Sequence, residues 1–325
     1  MGYVVFGAGA IGGVVGGRLF QAGRDVTLIA RGAHLEVLRS RGLRLESPAG
    51  DDLISCPAVG HPGEVAWRDD HVVLMAVKSQ QTIAALTQLA GVAPPHTPIL
   101  CVQNGVANEP TALRYFANVY GVWVACPASH LEPGVVHAWS TPVSGLLDIG
   151  RYPDGVDATT EAVAADLRAA TFSSYSVAEI RRWKYRKLLD NLVNAIEAIC
   201  GPHQRRGEVL DRVLAEAVSV LAAAGCDTAT VEENIDRRGD LLQMGEIAGH
   251  RHPGSSSWQS VRRGLHDIET DYLNGEIVLL GRIHGVPTPA NELLQRLGWE
   301  LASHRRTSGE LSRVDILALI DQTRG

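Results

Sequence analysis

The segment Arg182–Cys200 combines polar side chains suited to proton transfer with a helical pattern of apolar residues. Lys187, Asn191 and Asn194 are spaced four and three residues apart, so they share one face of a helix. A lysine ammonium can donate a proton and stabilise developing negative charge, and asparagine amides can hold a substrate oxygen. A polar stripe on a mostly apolar helix is costly unless it faces a ligand. The alternative interpretation is a solvated surface stripe.

A glycine-rich loop near the start of the chain has the pattern of a phosphate-binding turn. It reads Gly7-Ala8-Gly9-Ala10-Ile11-Gly12, between an apolar run at Tyr3–Phe6 and helical spacing over Val14–Ala22. Its first glycine permits the tight turn, the second lets a pyrophosphate approach the backbone, and the third lets helix and strand pack closely. The helix then offers free N–H groups to phosphate. A dinucleotide site is therefore predicted, against the alternative of a glycine turn without a ligand.

The residue after the next predicted strand bears on the choice of cofactor. Val26–Ile29 is followed by Ala30 and Arg31, with no acidic residue. NAD sites use a carboxylate there to bind the ribose hydroxyl, whereas a guanidinium accommodates the 2′-phosphate of NADP. Arg31 therefore favours NADP, and an ordinary surface arginine is the alternative.

Two further polar residues come directly after predicted buried strands. Lys78 follows the apolar run Val72–Val77, and Asn104 follows Ile99–Val102. Ligands of open α/β sheets collect beyond the carboxyl ends of the strands. We therefore expect Lys78 to reach a cofactor hydroxyl or the substrate, and Asn104 to orient the nicotinamide or the substrate. A plain Asn-Gly turn at Asn104 is the alternative.

A carboxylate and a serine cluster in the last third of the chain complete the candidate site. Glu269 alone would be interpreted as a surface residue, but it follows the serine-rich loop Ser255–Ser257. A hydroxyl there could bind a substrate carboxylate, while Glu269 holds the lysine.

Bulk composition favours small molecules as partners over nucleic acid or a membrane. The net charge is −6 with both signs interleaved, so no basic surface is evident. No apolar run has membrane-spanning length. The five cysteines form no CxxC pair, which suggests neither disulfides nor a zinc site, and no metal is predicted. A reducing cytoplasmic location is expected.

A chain of 325 residues is expected to fold as two domains. Residues 1–151 predict an α/β domain of Rossmann type with a doubly wound parallel sheet, including runs at Val119–Val124 and Gly145–Ile149. Residues 152–325 predict an all-α domain, which could also form a homodimer. Its expected helices are Thr159–Ala170, Arg182–Cys200, Glu208–Ala224, Val231–Met244, His266–His284 and Ala290–His304, with His250–Ser257 as a loop.

Taken together, these motifs resemble the ketopantoate reductase family along nearly the whole chain. The resemblance rests on GAGAIGG, VTLIARG, AVKSQQT, QNGVANE, RKLLDNLVNAIEAICG, SSSWQS and IETDYLNGEIVLLGRIHGVPTPAN. It implies a Rossmann domain joined to a helical domain. It also implies NADPH-dependent reduction of 2-dehydropantoate to pantoate, a step of pantothenate and coenzyme A biosynthesis.

The resemblance also implies individual roles. Lys187 resembles the catalytic lysine, Glu269 the glutamate that tunes it, and Lys78 a cofactor-side lysine. Asn104 resembles the asparagine that positions cofactor and substrate, and Asn191 and Ser256 resemble substrate ligands, with the neighbouring serines as alternatives to Ser256. Two positions depart from the family pattern. Ala195 stands where a second helix asparagine is general, so Asn194 is a near match, and Arg251–Gly254 replaces an asparagine before the serines.

These expectations leave alternative functions open. Reduction of another 2-oxo acid is the nearest alternative, and a non-catalytic NADP-binding regulator is another. The regulator would need the glycine loop and Arg31 but not Lys187, Asn104 and Glu269 together. A purely structural oligomerisation module would leave the glycine loop without a purpose.

Overall fold

The computed structural model describes residues 1–202, 204–250, 254–262 and 268–322. Clustering of the backbone gives two compact units. The first, the sheet unit, contains Met1–Gln103, Asn108–Lys184 and Thr230–His252; the second, the helical unit, contains Asn104–Ala107, Tyr185–Ala229 and Pro253–Gly325. The units therefore divide the chain differently from the boundary predicted after Arg151.

The first part of the chain contains strands and helices in mixed order. They are β1 (Gly2–Phe6), α1 (Ala10–Gln21), β2 (Asp25–Ile29), α2 (Gly32–Arg41), β3 (Leu43–Ser47), β4 (Gly50–Ile54), β5 (Ala58–Val59), β6 (His71–Met75), α3 (Thr82–Ala90), β7 (Ile99–Cys101), α4 (Asn108–Ala112), β8 (Val119–Ala125), β9 (Ala128–Ser129), β10 (Val135–Ala138), β11 (Ser140–Pro142), β12 (Gly145–Arg151), α5 (Ala158–Ala169) and β13 (Phe172–Ser173).

The remainder is mainly helical. It contains α6 (Ile180–Asn191), α7 (Val193–Cys200), α8 (Glu208–Ala223), α9 (Val231–Arg238), β14 (Leu242–Met244), α10 (Ser256–Arg262), α11 (Asn274–His284), α12 (Pro289–Ala302) and α13 (Arg313–Gln322). Short 3₁₀ turns lie at Pro62–Glu64, Ser79–Gln81 and Glu269–Tyr272. Among the described residues, no helix is both long and apolar enough to cross a membrane.

The main sheet has the strand order β13-β12-β8-β7-β6-β1-β2-β5 and confirms the predicted Rossmann-type α/β fold. Alternate residues of β1 join different cores: Tyr3 and Val5 pack in one, and Val4 and Phe6 pack in the other. Both faces of the strand are therefore covered, as a doubly wound sheet requires. The predicted parallel arrangement fails at one place, because β12 runs antiparallel to β8.

A second sheet in the order β4-β3-β10-β9 was not predicted from the sequence. Strands β3 and β10 pair in parallel, with His137 opposite Glu46, and each has an antiparallel neighbour. Leu43, Leu45 and Val136 of this sheet join the core that also covers α1. The second sheet is therefore part of the sheet unit.

The segment Thr230–His252 belongs to the sheet unit although it follows two helices of the other unit. Strand β14 pairs antiparallel with β11. The guanidinium of Arg237 on α9 donates two hydrogen bonds of 2.7 Å to the carboxylate of Asp148, which is 1% exposed. The Arg237 guanidinium also stacks on the ring of Tyr175, at 4.6 Å from its centroid. This paired arrangement explains how a carboxylate can be buried in β12.

The helical unit buries an apolar core between α7, α8, α11, α12 and α13. Glu216 of α8 accepts hydrogen bonds from the backbone N–H groups of Ala290 and Asn291, at 2.9 and 3.0 Å. A carboxylate at a helix N-terminus satisfies N–H groups that have no acceptor within the helix. The amide of Asn291 also binds Glu216, so this buried acid fixes the start of α12.

Several predicted helices end or begin elsewhere. The helix expected over Val231–Met244 stops at Arg238, because Gly239 takes a positive φ of 44° and the chain then enters β14. The helix expected over Arg182–Cys200 is divided into α6 and α7 at Leu192. The helix expected from His266 has its start outside the described residues, and its described part begins as a 3₁₀ turn before α11.

Candidate active site

The glycine loop of the sheet unit lies between β1 and α1, as predicted. Gly7 has a φ of +103°, and the N–H groups of Gly7 and Ala8 both donate to the carbonyl of Ile29, at 3.1 and 3.2 Å. A Cβ atom on Gly12 would lie 2.0 Å from the carbonyl oxygen of Gly7. The first and third glycines are therefore required by the protein's own packing.

Gly9 differs from these two glycines. Among the described residues, no heavy atom lies within 4 Å of a Cβ atom built on it, and its backbone is extended, with a φ of −75° and a ψ of −152°. The open space lies at the N-terminus of α1, where Ala10 and Ile11 begin the helix and the first turn carries no acidic residue. The first N–H groups of a helix have no acceptor within it. This concave backbone fits a dinucleotide pyrophosphate, for which the absent Cβ leaves room.

Arg31 follows the end of β2 and is the residue immediately before α2. Its side chain is exposed, so the guanidinium can reach a ligand. On the same helix, His34 was not anticipated from the sequence. Its Nδ1 accepts from the N–H of Gly134 at 2.8 Å, so Nε2 carries the proton and donates to the carbonyl of Ala8 at 2.7 Å. Burial lowers the pKa of His34, and the bond to Ala8 opposes the shift. A neutral His34 therefore holds the glycine loop in place.

Lys78 lies at the start of the 3₁₀ turn after β6 and is half-buried. A network of buried side chains lies in the same part of the fold. The amide of Gln103 donates to the carbonyl of Val77 at 2.9 Å and to Thr82 Oγ1 at 2.7 Å, and Asn108 joins Thr82 to Ser79. The network links the ends of β6 and β7, and so fixes the backbone that carries Lys78.

Lys184, which the sequence interpretation did not single out, forms a buried ion pair within the sheet unit. Its Nζ lies 2.8 Å from Glu109 Oε1 and donates to the carbonyl of Gln103 at 2.6 Å. The side chains are 5% and 2% exposed. Lys184 therefore anchors the residue that directly precedes Asn104. Neighbouring Cys101 is fully buried, and burial raises the pKa of its thiol, so it is unsuited to act as a nucleophile.

The helical unit brings together two of the predicted site residues. The amide of Asn191 donates to Asn104 Oδ1 at 2.9 Å. Gly105 has a φ of +78°, and a Cβ atom on it would lie 2.9 Å from the carbonyl oxygen of Tyr272. The Asn-Gly pair is therefore both a turn and a close contact with the 3₁₀ turn that carries Glu269.

The other predicted residues of the helical unit occupy defined places. Lys187 is half-buried on α6, one turn before Asn191, while Asn194 on α7 is buried. Glu269 is 7% exposed. Ser256 is half-buried and starts α10 rather than lying in a loop as predicted, because Ser255 Oγ accepts from the N–H of Trp258 at 3.4 Å at that helix start. Of the predicted loop at His250–Ser257, residues 251–253 lie outside the described part. The functional roles of these residues stay predictions.

Two family models match most of the chain. The model described as "Ketopantoate reductase PanE/ApbA" matches residues 3–154, and "Ketopantoate reductase PanE/ApbA C terminal" matches residues 179–298. A 2-dehydropantoate 2-reductase of Pyrococcus horikoshii is 29% identical over 94% of this chain and 97% of its own. A protein of the same name from Mesorhizobium japonicum is 28% identical over 93% of this chain and 98% of its own.

Two solved structures superimpose on this chain over most of its length. The PanE/ApbA family ketopantoate reductase of Ralstonia eutropha JMP134 superimposes with a TM-score of 0.78, at 29% identity over 94% of this chain and 99% of that chain. D-mandelate dehydrogenase, in a structure with NADH and anilino(oxo)acetate, shares the fold with a TM-score of 0.79 at 23% identity, over 95% and 100% of the two chains. This chain belongs to the ketopantoate reductase family, and it is an oxidoreductase acting on CH–OH groups.

Proposed function

We propose that this enzyme reduces the 2-oxo group of 2-dehydropantoate to the hydroxyl of pantoate with NADPH, a step of pantothenate biosynthesis. The observation that carries the proposal is Lys187 placed one turn before Asn191, whose amide binds Asn104. The relatives named 2-dehydropantoate 2-reductase align over nearly the full chain, which supports the same chemistry here.

The cofactor side of the proposal rests on Gly9 and Arg31. NADPH supplies the hydride for the carbonyl carbon. The open backbone at Gly9 receives the pyrophosphate, and Arg31 pairs with the 2′-phosphate, for which a guanidinium offers a forked set of donors. Because no carboxylate occupies the end of β2, the phosphate meets no like charge there. Lys78 binds a cofactor hydroxyl on this proposal.

Lys187 acts as the general acid. Reduction of a carbonyl creates an alkoxide, and a positioned ammonium both stabilises that charge and donates the proton. The side chain is half-buried on a helix with a buried apolar face, which strengthens its electrostatic effect. Glu269, almost fully buried, holds and tunes the lysine rather than contacting the substrate.

Substrate binding falls to amide and hydroxyl groups of the helical unit. Asn104 and Asn191 are already oriented by their mutual hydrogen bond, so little side-chain entropy is lost when they bind a substrate oxygen. Ser256 binds the substrate carboxylate, and Asn194 lies on the following helix. Because Ala195 occupies the position where the family generally has asparagine, a different 2-oxo acid is the second candidate substrate.

A panel of 2-oxo acids, followed by loss of NADPH absorbance, tests the reaction. We expect 2-dehydropantoate to give the highest kcat/KM. A higher kcat/KM for another member of the panel would transfer the assignment to that acid. Tight NADPH binding with no turnover of any 2-oxo acid would contradict the proposed reaction and favour a non-catalytic regulator.

Substitution of Lys187 tests the mechanism. Lys187→Ala should lower kcat by about 10²–10⁴-fold, the usual effect of losing an acid–base group, while NADPH binding is retained. Arg186→Ala is the matched control, because Arg186 is a neighbouring cation on α6 that pairs with Asp190 at 2.9 Å. The control should keep kcat near the parent value. A folded Lys187→Ala enzyme with parental kcat would refute the proposed general acid.

The proposal also includes a cytoplasmic homodimer assembled through the helical unit. None of the five cysteines, which all lie in the described part of the chain, forms a disulfide, and this suits a reducing compartment. Three large apolar side chains of α11 and α12, those of Leu279, Ile283 and Trp299, are 51%, 64% and 52% exposed. Light scattering after gel filtration should give twice the chain mass of 34.8 kDa, and Ile283→Asp should lower it. A wild-type protein of single-chain mass would contradict the dimer.

A further inference from the structure

Three metal-ligating side chains meet at the second sheet of the sheet unit. Glu46 on β3 and His137 on β10 are directly paired across the parallel strands. Glu46 Oε2 lies 3.2 Å from His137 Nε2 and 3.0 Å from His250 Nε2, and the three donor atoms all lie within 4.8 Å of one another. No residue of this cluster takes part in the proposed reduction.

His137 is buried with an incompletely satisfied ring. It is 5% exposed, and its Nε2 has no partner in hydrogen-bond geometry among the described residues, despite its closeness to Glu46. A buried polar atom left in this way costs about 1–3 kcal/mol. A ligand for the Nε2 lone pair would remove the cost.

The other nitrogen of the His137 ring, Nδ1, also has a side-chain contact. Ser129 Oγ lies 3.2 Å from Nδ1, and the indole of Trp139 donates to the same Oγ at 3.0 Å. The rings of His137 and Trp139 are also stacked, with centroids 5.5 Å apart. Such outer contacts fix the orientation and the tautomer of a histidine ligand.

The distances from Glu46 Oε2 to the two imidazole nitrogens, 3.2 and 3.0 Å, match those between neighbouring ligands of a small tetrahedral site. Zinc bonds of about 2.0–2.1 Å to nitrogen and oxygen place neighbouring ligand atoms about 3.3 Å apart. Arg44 occupies the other oxygen of Glu46, with its Nε 2.9 Å from Oε1, so only Oε2 is available to a metal. The His250 side chain is 41% exposed, which leaves an entry path and a coordination position for water.

We propose that Glu46, His137 and His250 form a binding site for a divalent transition metal of the zinc class, with water as the fourth ligand. Two imidazoles and one carboxylate are a ligand set that zinc accepts. The ion would link β3 and β10 to the chain segment after β14. It would stabilise the fold without taking part in reduction.

Binding is tested on the full chain, freed of any affinity tag and treated with a chelator. Zn²⁺ titrated against a chelating dye should reveal one tight site per chain, and Co²⁺ should give the intense visible absorption of a tetrahedral complex. His250→Gln and His137→Gln should each lower Zn²⁺ affinity by at least about 100-fold, since losing an outer contact alone costs 10–100-fold. Because His250 lies at the surface, its variant should fold even if the His137 variant does not.

His96→Gln is the matched control, because His96 Nε2 lies 3.4 Å from the carboxylate of Asp69 and, among the described residues, His96 belongs to no group of three metal-ligating side chains. Its Zn²⁺ affinity should equal that of the parent. Absence of a stoichiometric tight site in the parent would overturn the proposal, as would an unchanged affinity in His250→Gln. Added Zn²⁺ should also raise the melting temperature of the parent and of His96→Gln, but not that of His250→Gln.

Discussion

Replacement of Gly9 by alanine separates a glycine that serves a ligand from glycines that serve the fold. The added methyl group would lie within 4 Å of no heavy atom in the part of the chain that the structure describes, and the extended backbone of Gly9, with a φ of −75° and a ψ of −152°, needs no positive φ. Gly12→Ala is the contrasting change, because its methyl group would lie 2.0 Å from the carbonyl oxygen of Gly7. The two substitutions are chemically identical and only three positions apart in one loop.

The expected sizes follow from these contacts. In Gly9→Ala, the weaker helix start and the reduced freedom of the unfolded chain have opposite signs, so the free energy of unfolding should change by less than about 1 kcal/mol. A methyl group against the pyrophosphate forfeits a charged hydrogen bond of about 1.5–3 kcal/mol, which is roughly a 10- to 150-fold rise in the Kd of NADPH. Gly12→Ala must move helix or strand and should cost about 1–3 kcal/mol of stability.

Urea unfolding without cofactor measures the free energy of unfolding, and titration followed by NADPH fluorescence measures the Kd of NADPH. The reasoning predicts a stable Gly9→Ala protein with weak binding, and an unstable Gly12→Ala protein. A Gly9→Ala protein that binds NADPH with the parental Kd would show that the pyrophosphate does not approach this glycine. Marked destabilisation of Gly9→Ala would show that the space beside it is not open.

Three further predictions concern charged groups. Arg31→Ala should weaken the binding free energy of NADPH by about 1.5–3 kcal/mol and leave that of NADH unchanged. An equal loss of affinity for both cofactors would contradict the 2′-phosphate contact. Lys184→Ala leaves the Glu109 carboxylate buried without its partner and should lower the free energy of unfolding in urea by about 3–5 kcal/mol. The double variant Lys184→Met with Glu109→Gln should recover most of that loss. Equal stability of the two variants would count against the ion pair. Since burial lowers the pKa of His34 below 6.5, the neutral ring contributes stability that is complete above pH 6.5 and is lost as pH falls toward the folded-state pKa. The melting temperature of His34→Gln should therefore fall less between pH 7 and pH 5 than that of the parent, and an equal fall would refute this assignment.

The parts of the fold that the sequence predicted well are those with strong local signals. The glycine loop between β1 and α1 was located because its glycines must serve a turn and a close packing contact. The buried strands at Val72–Val77 and Ile99–Val102 were recognisable as continuous apolar runs; β6 overlaps the first run and β7 lies within the second. The direction of β12 was not recoverable in the same way, because an apolar run carries no information about strand orientation.

The rest depended on contacts that are distant in the sequence. Strand β3 alternates apolar and polar residues, but its partner β10 lies about 90 residues further along the chain, so neither strand indicates the other. Lys184 resembled any surface lysine until its partner Glu109 was placed beside it. Gly239 did mark the end of α9, and the helix predicted through Met244 overlooked that local signal. In the candidate site, the helix that carries Lys187 and Asn191 and the strand before Asn104 were predictable, whereas the supporting contacts were not, and the roles of these residues stay predictions.

The return of Thr230–His252 to the sheet unit affects how this protein is made. On the ribosome, Asp148 of β12 is synthesised 89 residues before its partner Arg237. At a translation rate of about 5–20 residues per second, the Arg237 guanidinium is synthesised roughly 4–18 s after the Asp148 carboxylate. The nascent sheet unit therefore cannot be completed when its last main-sheet strand emerges, but only after much of the helical unit has been translated. Exchange of either unit between relatives would accordingly need several crossover points rather than one.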